Sequence, residues 1–275
     1  MQRPALLAAL AAIALWGVLA ALSLRLRDWP PFLLAGAALL VGAACSIHRL
    51  RDWRVPGRAL ALGVYGLFGF HLLLFVALRL APPVEANLVN YLWPLLIVVL
   101  APLILPGVTL RVRHVVAALL GFAGAALLVT GGKLGLAGEY ALGYAAALGS
   151  AFVWATYSLA TKRFAALPTA TIGLYCAASG ALALACHFLF EPRYVPQWSE
   201  LPWLLALGLG PMGAAFFLWD YALKRGDPRA IGALAYLTPL LSTFVLVAAG
   251  TGSLGPLTLV AMALIVGGAV LGGRA

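Results

Sequence analysis

The chain has 275 residues, of which 64% are hydrophobic and 9% are charged. A soluble domain of this length has too small an interior to bury so much apolar surface, so the composition excludes an ordinary soluble protein. The formal net charge of +10 would suit a nucleic-acid-binding protein. We reject that interpretation because the basic residues lie in short loops between apolar stretches and form no single patch.

Ten apolar stretches follow one another along the chain. A spanning helix needs about 20 apolar residues, since each adds ~1.5 Å against a hydrocarbon core ~30 Å thick. The first stretch resembles a signal peptide, but we expect it to be retained because its loss would break an internal repeat of the chain. The predicted spans are 4–23, 30–47, 59–80, 83–105, 112–131, 139–163, 167–190, 200–224, 227–249 and 255–273.

The second half of the sequence repeats the first at a constant offset of 145 residues. The clearest copy aligns 83–96 with 228–241, where six positions are identical. A glycine-rich link near 131–138 separates the copies, which predicts two units, 1–132 and 133–275. Because each unit has an odd number of spans, the second is inverted relative to the first. The expected fold is an all-α membrane protein with ten helices in two inverted five-helix repeats around a central cavity.

The basic residues predict the orientation of the chain. Positively charged loops stay in the cytoplasm, so we expect both termini to be cytoplasmic and the protein to lie in a bacterial inner membrane. The basic rim would also attract anionic lipid headgroups. The predicted outer side holds Arg25, Arg27, Arg79, Lys133 and Arg193. The predicted cytoplasmic side holds Arg3, Arg49, Arg51, Arg54, Arg58, Arg111, Arg113, Lys162, Arg163, Lys224, Arg225, Arg229 and Arg274.

His71 is the most unusual side chain of the third predicted span. An ionisable group is costly at mid-membrane and marks a functional site by default. We expect a neutral imidazole that contacts a substrate or relays a proton; a histidine that only bonds a neighbouring helix is the alternative. Phe68 and Phe75 are predicted to share its helical face, and Phe68 is therefore a further substrate-binding candidate.

Polar residues follow one face of the fourth predicted span. Asn87, Asn90, Tyr91 and Pro94 are spaced i, i+3, i+4 and i+7. Asparagines that face lipid are costly, so we expect this face to look inward. Trp93 lies one step off the face at mid-depth. The candidates for substrate contact here are Asn90, Tyr91 and Trp93.

Further aromatic candidates come from the first, sixth and ninth predicted spans. Trp154 and Tyr157 belong to a polar stripe of the sixth span, and Trp16 occupies the equivalent place in the first. Tyr236 is the copy of Tyr91. Tryptophan prefers the membrane interface, so Trp16 and Trp154 near mid-span indicate a protein-lined cavity or a packed core. Four tryptophans at span ends are predicted to be interfacial anchors: Trp29, Trp53, Trp198 and Trp203.

Prolines interrupt several spans. Pro94 and Pro239 occupy the same place in the two copies, and Pro211 lies midway along the eighth span. Each removes a backbone hydrogen bond and is predicted to kink its helix, either as a hinge or gate for transport or as a tolerated bend. Asp220 and Lys224 are spaced i, i+4, which predicts a structural ion pair or a pair that snorkels to the cytoplasmic interface, with gating as the alternative.

Several classes of function lack support in the sequence. No Asp or Glu lies near the centre of a predicted span, which argues against exchange of protons through an embedded carboxylate. No nucleotide-binding loop is present, and no spacing fits a metal site or a cofactor. An intramembrane enzyme would need a nucleophile beside a base, and nothing in the spacing supports one. The expected partners are a small-molecule substrate and lipid; the oligomeric state stays open, with a monomer as the simplest case.

The repeated motifs resemble a known family. Ala-Leu-Trp-Gly at 14–17, its echo at 152–155, and Tyr-Leu-x-Pro-Leu-Leu at 91–96 and 236–241 are similar to the drug/metabolite transporter superfamily, in its ten-helix EamA-type branch. The resemblance implies an exporter of small amphipathic metabolites that works by alternating access. Within the branch, the chain resembles the exporters of aromatic amino acids. This closer resemblance rests on His71, Trp93 and Trp154. The alternative is an exporter of other metabolites or of hydrophobic or cationic drugs.

Overall fold

The computed structural model describes residues 2–133, 135–250 and 255–273. Arg274, one of the basic residues predicted to be cytoplasmic, lies outside the described residues. The structure is 83% helix, and no strand occurs in the described ranges. The prediction of an all-α membrane protein is therefore confirmed at this level.

The described residues form fifteen α-helices joined by 3₁₀ segments, two π-helical turns and short loops. The helices are α1 (Arg3–Gly17), α2 (Leu19–Leu24), α3 (Pro31–Ala43), α4 (Gly57–Val64), α5 (Phe70–Leu80), α6 (Pro83–Asn90), α7 (Trp93–Ile104), α8 (Val112–Thr130), α9 (Ala141–Ala160), α10 (Ile172–Phe190), α11 (Leu201–Leu209), α12 (Ala215–Arg225), α13 (Pro228–Ala235), α14 (Leu237–Ala248) and α15 (Pro256–Gly273). Two π-helical turns join helices end to end, Tyr65–Gly69 between α4 and α5 and Gly210–Ala214 between α11 and α12.

Eight helical segments of the described ranges are long and apolar enough to cross a membrane. They are Arg3–Leu24, Pro31–Trp53, Gly57–Leu80, Pro83–Ile104, Val112–Thr130, Thr169–Phe190, Trp198–Arg225 and Pro228–Ala248. Two more helices, α9 and α15, stand where the sixth and tenth spans are predicted. The structure therefore supports a chain that crosses the membrane many times, and the count of ten stays a prediction.

The two π-helical turns are related by the sequence repeat. Residue 65 begins the first turn and residue 210 begins the second, which is the same offset of 145 that relates the sequence copies. A π turn adds one residue to a helical turn and rotates the helix beyond it, and such turns are frequent at functional sites. The π-helical turn thus rotates the side chains of the second half of the third span, and the equivalent turn does the same in the eighth.

The fourth and ninth spans are broken where the prolines predict bends, but slightly earlier. The first break lies at Tyr91 and Leu92, between α6 and α7, and the second at Tyr236, between α13 and α14. Pro94 and Pro239 follow in the first turn of the new helix. A proline has no N–H for the carbonyl four residues before it, so the helix ends ahead of the proline and restarts around it.

Helices from the two halves pack against each other in equivalent pairs. The second span meets the seventh through α3 and α10, and the fifth meets the tenth through α8 and α15. The sixth meets the third through α9 and α5, as the first meets the eighth through α1 and α12. The fourth and ninth spans meet each other through α7 and α13. These pairings surround a central cluster of aromatic residues.

Candidate functional site

A cavity of about 480 Å³ lies at the centre of the bundle, within the range of about 300–1,000 Å³ typical of small-molecule sites. It runs from the aromatic cluster to the loop between α2 and α3. Most of its wall is apolar, and a few polar groups are set into it. The polar and aromatic residues of the lining are Trp16, Ser23, Arg27, Trp29, Phe70, His71, Phe75, Asn90, Tyr91, Trp93, Trp154, Phe216 and Thr238.

Interlocked indole rings form the closed end of the cavity. Trp16 lies at the centre, with ring centroids 6.2 Å from Trp93, 5.9 Å from Trp154 and 5.1 Å from Trp219. Trp93 and Trp154 are 6.4 Å apart and nearly perpendicular. Phe216 packs against Trp16 and Trp154. Edge-to-face contacts of this kind stabilise the cluster and fix the rings before any ligand arrives.

Hydrogen bonds hold two of these indoles in place. The Trp16 Nε1–H donates to the carbonyl of Pro211, 3.2 Å away, in the π-helical turn of the eighth span. The Trp219 Nε1–H donates to Ser158 Oγ at 3.0 Å. Backbone bonding is irregular in a π-helical turn, and the Trp16 indole supplies its carbonyl with a partner across the bundle.

His71 is set into the wall by its own helix. Its Nδ1 lies 2.6 Å from the carbonyl oxygen of Leu67, inside the first π-helical turn. A carbonyl only accepts, so Nδ1 carries the proton, and Nε2 of a neutral ring is left as an acceptor. The ring also packs edge-on against Phe70 and against Phe75. His71 therefore combines a packing role with a free acceptor at a cavity wall.

The breaks of the fourth and ninth spans are joined by one side chain. The Tyr236 hydroxyl donates to the carbonyl of Tyr91 and accepts from the N–H of Leu95, both at 3.2 Å. These two backbone groups would bond each other in an unbroken helix, so the hydroxyl is inserted into that bond and satisfies both of its ends. The insertion keeps Asn90, Tyr91 and Trp93 turned toward the cavity.

Three of the predicted contact residues lie outside the cavity wall. Among the described residues that line the cavity, Phe68, Tyr157 and Tyr236 are absent. The expectation that Phe68 shares the face of His71 fails because a π-helical turn lies across that stretch, and Phe70 takes the place beside His71. Tyr157 lies behind Trp154, with ring centroids 5.4 Å apart. Tyr236 is fully buried.

A second cavity of about 430 Å³ adjoins the first. The two share Trp16, Leu19, Tyr91 and Thr238 in their walls. The polar residues that line only the second are Asn87, Ser242 and Thr243, and Pro239 also lines it. Tyr91 and Thr238 thus stand between the two spaces.

Hydrogen bonds and an ion pair close the bundle at the C-terminal ends of α9 and α12. Asp220 pairs with Lys224 at 2.8 Å, which confirms the predicted i, i+4 ion pair, and accepts from the Thr169 hydroxyl at 2.9 Å. Lys162 donates to the carbonyl of Gly226 at 2.8 Å. Both lysines lie in the group that the charge pattern assigns to the cytoplasmic side, so this end and the cavity mouth are on opposite predicted sides.

Two arginines tie the halves together at the same end. Arg163 donates to the carbonyl of Ile104 at 2.8 Å, and Arg229 donates to the carbonyl of Thr109. Arg229 is also paired with Asp227. Each bond joins the end of the fourth span or its following loop to the second half, so any opening at this end has to break them.

A buried carboxylate braces the other end of the bundle. Glu191 accepts from the N–H groups of Phe32 at 2.9 Å and Leu33 at 3.2 Å, at the start of α3. It also contacts His187 at 3.0 Å and Arg79 at 3.5 Å. A carboxylate at a helix N-terminus satisfies free amide groups and complements the helix dipole. This cluster joins the second, third and seventh spans beside the cavity mouth.

The tryptophans predicted as interfacial anchors divide into two groups. Trp198 is 88% exposed, and Trp203 packs under the Arg25 guanidinium, as anchors do. Trp29 is buried and lines the cavity mouth against Tyr194, so its assignment as a plain anchor is wrong. It was misplaced because the loop between α2 and α3 folds back over the cavity, which a position at a span end does not reveal.

Sequence reasoning also missed lining residues of the eighth and ninth spans. Phe216 is the copy of His71 and Thr238 is the copy of Trp93 at the offset of 145, so the repeat itself could have pointed to both. Trp219, which packs in the aromatic cluster but does not line the cavity, has no such signal. In the described part of the chain, no group of three His, Cys, Asp or Glu side chains is arranged to hold a metal ion.

The chain matches known transporters over most of its length. The EamA-like transporter family matches it twice, at residues 3–130 and 141–273. An aromatic amino acid exporter YddG from Ancylobacter novellus is 45% identical over 94% of this chain and 93% of its own length. The YddG exporter of Salmonella typhimurium is 28% identical over 69% of this chain and 68% of its own length. The uncharacterized transporter YyaM of Bacillus subtilis is 27% identical over 70% of this chain and 65% of its own.

One solved structure has nearly the same fold. A protein crystal structure that is 44% identical superimposes with a TM-score of 0.95, over 98% of this chain and 96% of its own. The double family match, the many apolar helices and the central cavity agree with one another. The chain belongs to the EamA-like transporter family and is a multi-pass transporter of the bacterial inner membrane, not an enzyme.

Proposed function

We propose that this protein exports aromatic amino acids by alternating access. The observation that carries the proposal is the central cavity, which is walled by Trp16, Trp93 and Trp154 and reaches the predicted outer loop between α2 and α3. The relative from Ancylobacter novellus, at 45% identity, is named for this activity and supports the assignment.

The chemistry of the wall fits this substrate class. An aromatic ring gains about 0.5–1.5 kcal/mol from each favourable ring contact, and the cluster offers it two or three. Immobilising the ligand costs part of that gain, so we expect weak binding, which suits a carrier that must release its cargo. We infer that His71, Asn90, Tyr91, Trp93 and Trp154 contact the substrate.

Three further residues are assigned a supporting role. We infer that Tyr157 and Phe68 act from behind the wall, and that Tyr236 acts by setting the break of the fourth span. Pro94, Pro239 and Pro211 are proposed to mark hinges, because each lies in or just after a place where a helix is broken or wound as a π turn.

The proposed architecture has ten spans in two inverted repeats, with units 1–132 and 133–275 and cytoplasmic termini. The matching π turns, the matching breaks and the equivalent pairs of packed helices support it, as does the charge bias of the loops. In this arrangement the cavity mouth faces outward and the ion pair of Asp220 with Lys224 lies on the closed cytoplasmic side. The conformation is then outward-open.

Counterflow into liposomes tests the function. Purified protein in liposomes preloaded with unlabelled phenylalanine should accumulate labelled phenylalanine, tryptophan and tyrosine from outside, and release them chemically unchanged. Leucine and lysine are the controls and should exchange poorly, because neither has a ring to pack against the indoles. Exchange of hydrophobic quaternary ammonium compounds without exchange of aromatic amino acids would favour the alternative, a drug exporter with cation–π contacts.

Cysteine labelling tests the architecture. In a variant without the native cysteines, Arg51→Cys, Arg163→Cys and Arg225→Cys should react with a membrane-impermeant maleimide only after the cells are opened. Lys133→Cys and Arg193→Cys should react in intact cells. Labelling of the first group in intact cells would overturn the orientation and the inverted repeat together.

A further inference from the structure

We propose that Asn90 and Thr238 form the site for the zwitterionic head group of the substrate, with Asn90 accepting from the ammonium and Thr238 donating to the carboxylate. The inference rests on the proposed function and deepens it. It adds Thr238, a residue that carries no prediction from the sequence, and it assigns each polar group a charge of the ligand.

Both residues hold a buried polar atom that has no hydrogen-bond partner in the described structure. These atoms are Oδ1 of Asn90, whose residue is 6% exposed, and Oγ1 of Thr238, whose residue is 8% exposed. Both residues line the central cavity. A buried polar atom is normally paired, and one left unpaired at a cavity wall points to a ligand that completes it.

Thr238 lacks the partner that a helical threonine usually finds. Thr243, five residues later in α14, donates to the carbonyl of Pro239 in its own helix at 2.9 Å. Thr156 does the same in α9, with the carbonyl of Phe152 at 2.7 Å. Thr238 lies in the first turn of α14, just after the break at Tyr236, where the preceding turn is out of line. The break therefore frees its hydroxyl for another acceptor.

The two residues lie next to the paired helix breaks. Asn90 precedes the first break by one residue and Thr238 follows the second by two. The Tyr236 hydroxyl bonds the backbone at Tyr91, which pins one break against the other. The other halves of the two broken spans, α7 and α13, approach closely here, since a Cβ added at Gly232 would lie 3.0 Å from the carbonyl of Pro94.

The helix ends decide which charge goes to which residue. Asn90 is the last residue of α6, and the C-terminal end of a helix carries a partial negative charge that favours a cation. Thr238 is in the first turn of α14, and the N-terminal end of a helix carries a partial positive charge that favours an anion. A zwitterion laid between them matches both ends, and its side chain then extends into the aromatic part of the cavity.

Two other polar groups of the cavity are less suited to the head group. His71 packs against Phe70 and Phe75 and already uses Nδ1 within its helix. Arg27 is at the mouth, exposed and beside Asp28. Arg27 is placed to contact the substrate carboxylate as it passes the cavity mouth, and Asn90 and Thr238 are placed to bind the head group inside the cavity.

Competition by three related ligands separates the two contacts. The probe is counterflow of labelled phenylalanine, inhibited by unlabelled phenylalanine, by phenethylamine, which has no carboxylate, or by 3-phenylpropionate, which has no ammonium. In Thr238→Val, the affinity for phenylalanine should fall about 10-fold while that for phenethylamine changes less than about 2-fold. In Asn90→Leu, phenylalanine and phenethylamine should both fall about 10-fold while 3-phenylpropionate is unchanged. A factor of 10 corresponds to about 1.4 kcal/mol, which is within reach of one hydrogen bond to a charged group.

Matched variants guard against a general loss of folding. Thr238→Ser keeps the hydroxyl and should retain wild-type selectivity. Thr243→Val makes the same substitution five residues further along α14, where the hydroxyl bonds its own helix, and should also retain wild-type selectivity. If a variant is too slow for counterflow, the shift of its melting temperature by each of the three ligands provides the same comparison.

The possible outcomes distinguish this inference from the function on which it rests. If the wild type exchanges phenylalanine and all three ligands weaken equally in both variants, or none weakens, the head-group site is wrong and the export proposal stands. If the wild type neither exchanges nor binds phenylalanine, both proposals fall.

Discussion

Replacing Tyr236 with phenylalanine tests whether one hydroxyl supports the broken fourth span. The substitution keeps the ring, which packs against Gly121, and removes only the oxygen that bridges the Tyr91 carbonyl and the Leu95 N–H. Each hydrogen bond contributes about 0.5–1.5 kcal/mol net, so two bonds predict a loss of about 1–3 kcal/mol in the free energy of unfolding. The loss approaches the upper end if both backbone groups stay buried and unpaired.

The expected loss can be measured in mixed micelles. Unfolding by increasing SDS, together with the melting temperature in detergent, should show Tyr236→Phe destabilised by that amount. The matched control is Tyr144→Phe, because the Tyr144 hydroxyl is buried without a hydrogen-bond partner in the described structure. Removing that oxygen leaves no backbone group unpaired, so the control should unfold within about 0.5 kcal/mol of the wild type.

The same variant also changes the cavity. Without the hydroxyl, the Tyr91 carbonyl and the Leu95 N–H can bond each other directly, which straightens the fourth span and turns Asn90 and Trp93 away from their present positions. We therefore expect a higher KM for phenylalanine in counterflow. A variant as stable as Tyr144→Phe and with wild-type KM would refute the argument that Tyr236 positions these residues.

Three further predictions concern the aromatic cluster, His71 and Glu191. Trp93→Ala or Trp154→Ala should raise the KM for phenylalanine about 10-fold in counterflow, because each removes ring contacts that contribute about 0.5–1.5 kcal/mol apiece. The control Trp198→Ala, at an exposed position, should keep a KM near that of the wild type. Wild-type transport by both cavity variants would refute the role of the aromatic wall. Nδ1 of His71 is held by its own helix, and no acidic partner is predicted at mid-membrane. We therefore expect the transport rate to be independent of an imposed pH gradient, and His71→Gln to change only the affinity for substrate. Uphill export that is driven by the pH gradient and abolished in His71→Gln would instead establish proton coupling. Glu191→Gln should lower the free energy of unfolding by about 1–3 kcal/mol, because the carboxylate is fully buried against a helix N-terminus, His187 and Arg79, and an unchanged unfolding curve would contradict that role.

The sequence contained enough to predict the frame of the molecule. Apolar length predicted the spans, and eight helical segments of the described ranges are long and apolar enough to cross a membrane. The copies at 83–96 and 228–241 located the two breaks to within three residues. Trp93 and Trp154, at mid-span, are predicted to lie in a cavity wall or in a packed core, and in the structure both line the cavity and belong to the buried aromatic cluster. These features depend on local composition or on a repeat, and both are visible without the fold.

Other features depend on contacts between distant parts of the chain. The π-helical turns at 65–69 and 210–214 have no motif of their own, and the first displaced Phe68 from the face that a regular helix would give it. Trp29 was misplaced because the path of a loop was unknown. Tyr236 was expected at the cavity wall as the copy of Tyr91, yet its hydroxyl is inserted into the other helix, which only the packing of the two spans reveals.

The two copies of the sequence have the same tyrosine and proline at the helix breaks, and they differ in the residues that face the cavity. Tyr91 and Tyr236 are identical, as are the prolines three residues later, and each pair lies at a break. At the cavity wall, by contrast, Trp93 is matched by Thr238 and His71 by Phe216. A carrier built from equivalent halves needs hinges in both, because each half has to bend when the other does. Its substrate has a ring at one end and a charged head at the other, so two identical walls would serve it poorly. The divergence at the wall is therefore what an asymmetric ligand requires of a duplicated framework.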